Sequence, residues 1–132
     1  MSTLKTSNIQ DTSGNNNSTP EGINKGRAKA WVNFNGLAAT AVMRSYFNVA
    51  SITDEAAGDY TVNFTNAMSN ADYCVSGGVS DDGSTEGYRW LGIGSGYGSN
   101  FSKTANGVRV QSCYTSSAKY QAPHVYVVIH GD

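Results

Sequence analysis

The sequence has little excess of charge of either sign. Nine Lys and Arg residues are balanced by ten Asp and Glu residues, which gives a formal net charge of −1 over 132 residues. Nucleic-acid binding depends on cations that neutralise phosphates, and electrostatic membrane anchoring depends on a polybasic segment. The composition therefore argues against both kinds of partner.

Long hydrophobic runs are missing as well. No apolar run approaches the roughly 18 residues that a membrane-spanning helix needs. The N-terminal sequence MSTLKTSNIQ lacks the apolar centre of a secretory signal. We therefore predict a protein that is synthesised in the cytoplasm and is not inserted into a membrane.

Cysteine and histidine each occur only twice. Cys74 and Cys113 are too far apart for a short metal-ligand motif, and in a reducing compartment we expect two thiols rather than a disulfide. His124 and His130 fall on one face of a strand, and no further His or Cys cluster accompanies them. No Gly-x-Ser-x-Gly nucleophile motif occurs. The sequence thus predicts no metal site, no cofactor and no enzymatic activity.

Glycine is concentrated in residues 90–100, WLGIGSGYGSN. A dinucleotide-binding loop requires Gly-x-Gly-x-x-Gly at the start of a helix, but the last position of that motif, counted from Gly92 or Gly94, holds Tyr97 or Ser99. Alternating glycine instead favours a strand with a bare backbone. We expect a strand through Gly92 and Gly94, followed by a loop that displays Tyr97.

Residues 1–29 are poor in large apolar side chains. Apart from the initial methionine, the large aliphatic residues there are Leu4, Ile9 and Ile23. Residues 5–27 are rich in Asn, Ser, Thr and Gly and have neither helical nor strand periodicity, so this segment cannot form a core alone. We predict an extended N-terminal arm, whose aliphatic side chains serve assembly by packing against another subunit or another protein.

The remaining residues, 30–132, form the predicted β domain, and alternation of apolar and polar residues with a period of two begins just before it. The alternation is strong in residues 28–34, 59–65, 107–115 and 124–130, and weaker strand patterns occupy 41–53, 72–80 and 86–94. The positions predicted to share one face of each strong strand are Ala28, Ala30, Val32 and Phe34, then Tyr60, Val62 and Phe64, then Val108, Val110 and Tyr114, and finally Val125, Val127 and Ile129.

Turn signals separate these strands. Asp82-Gly83 and Asn106-Gly107 favour tight hairpins, and Leu37–Arg44 is the one stretch that would permit a helix. We therefore predict an all-β fold, an antiparallel β-sandwich or jelly-roll-like domain preceded by the extended arm. Trp31 and Val128 lie opposite the inward residues of their strands, and packing of several copies around an axis would cover them.

Two segments carry a resemblance to a known class of proteins. Residues 7–36, which include GRAKAWVNFNG, and residues 45–75, which include ITD and GDYTVNF, resemble modules of tail-fibre and related virion proteins of tailed bacteriophages of marine bacteria and cyanobacteria. The remaining sequence is similar only in its richness in Tyr and Gly. The resemblance implies a non-enzymatic structural or adhesive β domain that assembles as a homotrimer within a virion.

On this resemblance we expect a tail-fibre or knob-type protein whose arm docks to another virion component. Exposed aromatic side chains on a rigid β scaffold make good recognition anchors, so Tyr88, Tyr97 and Phe101 are the candidate contacts to a glycan or protein of the host surface. Two alternatives remain open. One is a capsid decoration, or cement, protein on the capsid exterior, and the other is a carbohydrate-binding lectin module.

Overall fold

The computed structural model describes residues 2–37, 39–81, 89–94, 103–114 and 118–131. These residues form one short helix and several strands. Their bounds are α1 Pro20–Gly26, β1 Ala30–Asn35, β2 Val42–Phe47, β3 Val49–Ala56, β4 Asp59–Phe64, β5 Cys74–Ser80, β6 Arg89–Ile93, β7 Lys103–Thr104, β8 Gly107–Tyr114, β9 Ala118–Lys119 and β10 His124–His130.

The strands form two antiparallel sheets that face each other. The first sheet has the order β2-β1-β10-β5, and the second has the order β3-β4-β8-β6, with the short strands β7 and β9 added alongside β8. Every pairing is antiparallel. The predicted all-β, sandwich-like fold is therefore confirmed.

The core lies between the two sheets and is built from the alternating positions of the strands. In β1 and β10, successive residues alternate between buried and accessible, as in the sequence prediction. Phe34 of the first sheet meets Tyr60 of the second edge to face, with ring centroids 5.0 Å apart. The predicted positions that are buried in this core are Ala30, Val32, Phe34, Tyr60, Val62, Phe64, Val108, Val110, Val125, Val127 and Ile129.

A single residue turns the chain from one sheet into the other. Residues 41–53 were predicted as one weak strand, but the structure contains two, β2 and β3, separated by Asn48 at φ 53°. Asn tolerates this left-handed conformation better than most residues. The Asn48 side chain also donates to Lys29 O at 3.1 Å and accepts from the backbone N of Asn66 at 2.8 Å. This corner makes β2 the edge of the first sheet and β3 the edge of the second.

Strand β8 departs from simple alternation beyond Val110. Gln111, Ser112 and Cys113 are all buried, whereas Tyr114 is only half-buried. Strand β9 pairs with this end of β8, and the Gln111 side chain bonds to buried Asp59. Both faces of β8 are thus covered there, which a period-two pattern cannot reveal.

The arm is less extended than predicted. Residues 5–27 show no helical periodicity, yet α1 forms within them because Thr19 caps its N-terminus, Pro20 begins it, and Glu21 pairs with Lys25. The helix-permissive stretch Leu37–Arg44 instead leads into β2. None of the described helical residues forms a helix long and apolar enough to cross a membrane.

The two predicted hairpins have different outcomes. Thr104 pairs with Gly107, so a tight hairpin joins β7 and β8 as Asn106-Gly107 predicted, although neither residue of that dipeptide has a positive φ. Asp82-Gly83 lies outside the described residues.

In the glycine-rich segment, Gly92 lies in β6 and Gly94 follows it at φ 104°. The predicted strand is confirmed at Gly92 but ends at Ile93, before Gly94, and the predicted loop with Tyr97 lies outside the described residues.

Candidate functional site

The first part of the arm is a turn organised by one carboxylate. Ile9 and Ser18 form an isolated antiparallel bridge, with both N–H···O distances at 2.8 Å. Between them, Asp11 Oδ1 accepts from the backbone N of Ser13 at 3.0 Å and of Asn15 at 2.8 Å. Aspartate commonly stabilises turns in this way. The arm therefore has local structure that does not depend on contacts with the β domain.

The helix of the arm is also stabilised locally. Thr19 Oγ1 accepts from the backbone N of Gly22 at 3.0 Å, and Glu21 lies 2.8 Å from Lys25. The hydrogen bond from Lys25 holds the pKa of Glu21 below its ordinary value. None of the helical residues is buried. The helix thus buries no face against the sandwich, in contrast to most short helices of folded domains.

The aliphatic side chains of the arm converge on one apolar groove. Leu4, Ile9 and Ile23 line it together with Pro20, and its volume is about 570 Å³. Leu4 is 86% exposed, and Ile9 and Ile23 are also exposed. The three predicted assembly residues are therefore brought together in space. Every residue from 2 to 27 is exposed, so the groove lies on the outside of the molecule.

The outer face of the first sheet carries a row of apolar side chains. Trp31 pairs with Phe47 on one side and with Val128 on the other, so these three side chains lie side by side across three strands. Phe47 is 53% exposed and Trp31 is 36% exposed. We call Phe47, Trp31 and Val128 the apolar row. The predicted placement of Trp31 and Val128 opposite the core is confirmed.

A polar cluster borders the apolar row on β10. His124 stacks parallel to Tyr126 with ring centroids 6.1 Å apart, and the Arg44 Nη1 atom lies 2.9 Å from His124 Nδ1. Because a guanidinium only donates, His124 Nδ1 accepts this hydrogen bond. Arg44 Nη1 also donates to Pro123 O at 2.6 Å. The Arg44 side chain therefore extends across the sheet from β2 towards β10.

The outer face of the second sheet carries polar side chains that bond to one another. Asn63 Nδ2 donates to Thr53 Oγ1 at 2.9 Å and to Ser51 Oγ at 3.1 Å. Thr61 Oγ1 donates to Glu55 Oε1 at 2.7 Å. These contacts join the outer faces of β3 and β4 within the chain.

The same sheet contains a fully buried carboxylate, Asp59, with two cations around it. Arg109 donates to it through Nε at 2.8 Å and Nη2 at 3.0 Å, Gln111 Nε2 donates at 3.1 Å, and Lys119 Nζ is also in contact. Burial opposes ionisation, but the hydrogen bonds from Arg109 and Lys119 hold the pKa of Asp59 below its ordinary value. This Asp59 cluster is suited to clamping β4, β8 and β9 together.

The geometry of the Asp59 cluster does not suit acid–base catalysis. A general base needs a pKa near the working pH and a free lone pair directed at substrate. The pKa of Asp59 is lowered instead, and four N–H···O contacts occupy its two oxygens. Burial also raises the pKa of the Cys113 thiol, which disfavours the nucleophilic thiolate.

The buried tyrosine hydroxyls serve as structural ties. Tyr60 Oη donates to Gly36 O at 2.9 Å, and Tyr73 Oη donates to Gly107 O at 2.8 Å. Burial raises the pKa of each of these two tyrosines to about 12, so both stay protonated donors at neutral pH. Within the described ranges, no group of three or more His, Cys, Asp or Glu side chains is placed to hold a metal ion.

The remaining predicted residues have mixed outcomes. Cys74 and Cys113 are free thiols on strands of different sheets, the first exposed and the second buried. The candidate receptor contacts Tyr88, Tyr97 and Phe101 all lie outside the described residues. Their proposed role stays a prediction.

Sequence reasoning missed two features of the surface. Phe47 was placed only in a weak strand pattern, yet it completes the apolar row. The Asp59 cluster was not foreseen, because Arg109, Gln111 and Lys119 come together only through the pairing of β8 with β4 and β9. The signal available was an Asp at the start of a strand whose alternate residues are apolar.

The chain was also compared with known proteins. No protein-family model, no curated protein and no solved structure matches it.

Proposed function

We propose that this protein is a non-enzymatic structural subunit of a bacteriophage virion, of the tail-fibre or knob type, that assembles as a homotrimer. In this proposal the arm docks to a neighbouring subunit or to another virion component. The sandwich forms the body, and Tyr88, Tyr97 and Phe101 contact the host surface.

The exposed arm is the observation that carries the proposal. Leu4, Ile9 and Ile23 are the large aliphatic residues of an otherwise polar segment, and all three converge on one exposed groove. Burying a side chain of this size contributes about 1.5–3 kcal/mol, and that free energy is not gained while the groove is open to water. A segment of this kind gains its stability from a partner.

The apolar row supports assembly independently of the arm. Phe47 and Trp31 remain exposed on a sheet whose other face contributes to the core. Contiguous apolar surface of this kind marks interaction sites on soluble proteins. The assignment to a virion rests on the sequence resemblance of residues 7–36 and 45–75.

Light scattering coupled to size-exclusion chromatography tests the proposal. We expect the full chain to elute as a trimer at micromolar concentration. A variant with Leu4, Ile9 and Ile23 each changed to Asp should lose the trimer or lose binding to virions, while its circular dichroism stays that of the wild type. A full chain that remains monomeric and fails to bind virions would contradict the proposal.

The matched control places the same charge on the arm away from the groove. Asn8, Asn15 and Asn17 lie on the exposed arm and do not line the groove. Changing these three residues to Asp gives the same change in net charge. This control should assemble like the wild type, so any loss in the first variant comes from the groove and not from charge.

A further inference from the structure

The four long edges of the two sheets are not equally protected. Edge strands expose unpaired N–H and C=O groups, and proteins protect them with charges, bulges or covering segments. Strand β3 carries Asp54 and Glu55. Strands β5 and β6 lie beside each other, where Arg89 forms an ion pair with Asp81 and Leu91 packs close to Gly77. The edge that remains is β2.

Strand β2 lacks this protection. Val42, Tyr46 and Phe47 are all exposed, and β2 pairs only with β1 among the described strands. Its one charged side chain, Arg44, bonds to Pro123 O and His124 on the sheet and does not guard the edge. The unguarded edge is therefore apolar, and it is continuous with the apolar row through Phe47.

A bulge limits how much of β2 is regular. Ser45, Tyr46 and Phe47 pair in register with β1, whereas Arg44 has no partner position because the register shifts there. The regular part of the free edge is thus three residues long. A short extended peptide is the kind of segment that fits it.

The arm contains such a peptide. Residues 2–6, STLKT, belong to no helix or strand and are exposed along their whole length. Thr is favoured in strands, and Leu4 lies at the centre of the segment. Within its own chain this segment lies beside α1, where Leu4, Lys5 and Thr6 line the groove with Ile23 and Arg27. It does not pair with its own β2.

We propose that residues 2–6 of a second copy of this chain add as a strand to the free edge of β2, with Leu4 opposite Phe47. This arrangement extends the apolar row by one side chain, because residues opposite each other in neighbouring strands share a face. The contact is heterologous, since an arm meets an edge. A heterologous contact closes into a ring, such as the trimer, when the rotation between subunits permits. The inference rests on the proposed function and names the partner of the arm.

Disulfide trapping between two variants, each with one added cysteine, tests this pairing. The background is Cys74→Ser, which removes the exposed native thiol, while Cys113 is buried. One full-length variant carries Leu4→Cys and the other carries Phe47→Cys. When they are mixed and oxidised, we expect a disulfide-linked pair of chains on a non-reducing gel. Facing cysteines have an effective concentration of ~1 mM, so at about 10 μM protein their linkage should exceed random collision roughly a hundred-fold.

The matched control moves the acceptor cysteine to the protected edge. Ser51 is exposed on β3, so Ser51→Cys presents a similar thiol on the other sheet. The inference would be overturned if the Leu4→Cys variant formed a disulfide with the Phe47→Cys variant no faster than with the Ser51→Cys variant. A chain carrying both Leu4→Cys and Phe47→Cys that links only within itself would also overturn it, since the arm would then reach its own edge.

The outcomes separate this inference from the proposed function. A trimer by light scattering with no preferential linkage at Phe47 leaves the proposed function standing and refutes the strand addition. A monomer at micromolar concentration refutes the strand addition, and it refutes the proposed function as well if that monomer fails to bind virions. Hydrogen exchange of the unmodified protein gives a second measurement, because strand addition protects alternate amides of residues 3–6 in the oligomer and leaves them unprotected on dilution to monomer.

Discussion

The side chains on the outer faces of the two sheets have different surroundings. On the second sheet, Asn63, Thr61 and Asp59 bond to neighbours on adjacent strands. On the first sheet, Trp31 and Phe47 stand beside each other with much of their surface in water. The polar side chains of the second face thus bond to one another within the chain, whereas the apolar side chains of the first face remain open to water.

The physical reason for the difference lies in the range of the forces. A polar side chain is satisfied by one donor or acceptor about 3 Å away, which a neighbouring strand supplies. An apolar side chain is stabilised only when a surface excludes water from it. Residues on the outside of a sandwich have no such surface in their own chain. A polar outer face therefore suits a free surface, whereas an apolar one suits an interface.

The largest effect on stability is expected at the second sheet. Asp59→Asn removes the charge that compensates Arg109 and Lys119, and breaking a buried ion pair leaves an uncompensated charge. We expect the free energy of unfolding to fall by about 3 kcal/mol, the low end of the usual range because both cations are partly exposed. Urea unfolding measures this loss. Asp72→Asn, at an exposed position, should change stability by less than about 0.5 kcal/mol.

The adjacent residues Gly77 and Gly78 allow packing on the two faces of the first sheet to be compared. A Cβ added at Gly77, which pairs with buried Val127, would lie 2.0 Å from Tyr126 O and 2.7 Å from Leu91 Cδ2. A Cβ added at Gly78 meets nothing within 4 Å. We expect Gly77→Ala to lower the free energy of unfolding by about 2–3 kcal/mol and Gly78→Ala to change it by less than about 1 kcal/mol. Equal effects would show that the inward side of β5 is not tightly packed.

The pH dependence of stability offers a further reading of the Asp59 cluster. The pKa of Asp59 in the folded protein lies below the ordinary 3.8, so its ionisation stabilises the fold above that pH. This contribution is lost as the pH falls through the lower folded-state pKa. The difference in stability between the wild type and Asp59→Asn should thus be constant from pH 7 to about pH 5 and shrink below about pH 4. A difference that persists unchanged to pH 2 would refute this assignment.

The smallest effect on the isolated fold is expected at the apolar row. Trp31→Ser should change the stability of the monomer by less than about 1 kcal/mol, because the side chain is exposed on the outer face. Assembly should weaken by roughly ten-fold or more, since buried Trp side chains dominate interfaces. Denaturation at low protein concentration and sedimentation equilibrium measure the two quantities. Its inward neighbour provides the contrast, because Val32→Ala should cost about 2 kcal/mol in the monomer itself.

Much of the β domain was predictable from the sequence, because a period-two alternation of apolar and polar residues indicates a strand with one buried face. It identified Val32 and Phe34 of β1 and Val125, Val127 and Ile129 of β10 as core residues. The same reasoning placed Trp31 and Val128 outside. Helix α1 was missed although Thr19, Pro20 and Glu21 formed its start signal, since a helix of seven exposed residues has no apolar periodicity to detect.

The sequence by itself determined the class of fold, most of the core and the scarcity of large apolar residues in the arm, since each depends on residue type and short-range spacing. Only the tertiary structure decided that Asn48 turns one apparent strand into the edges of two sheets, that Phe47 comes to lie beside Trp31, and that Asp59 meets the cations of β8 and β9. These relations join residues distant along the chain. Strand order and register bring them together, and neither is encoded in the local pattern of any one strand.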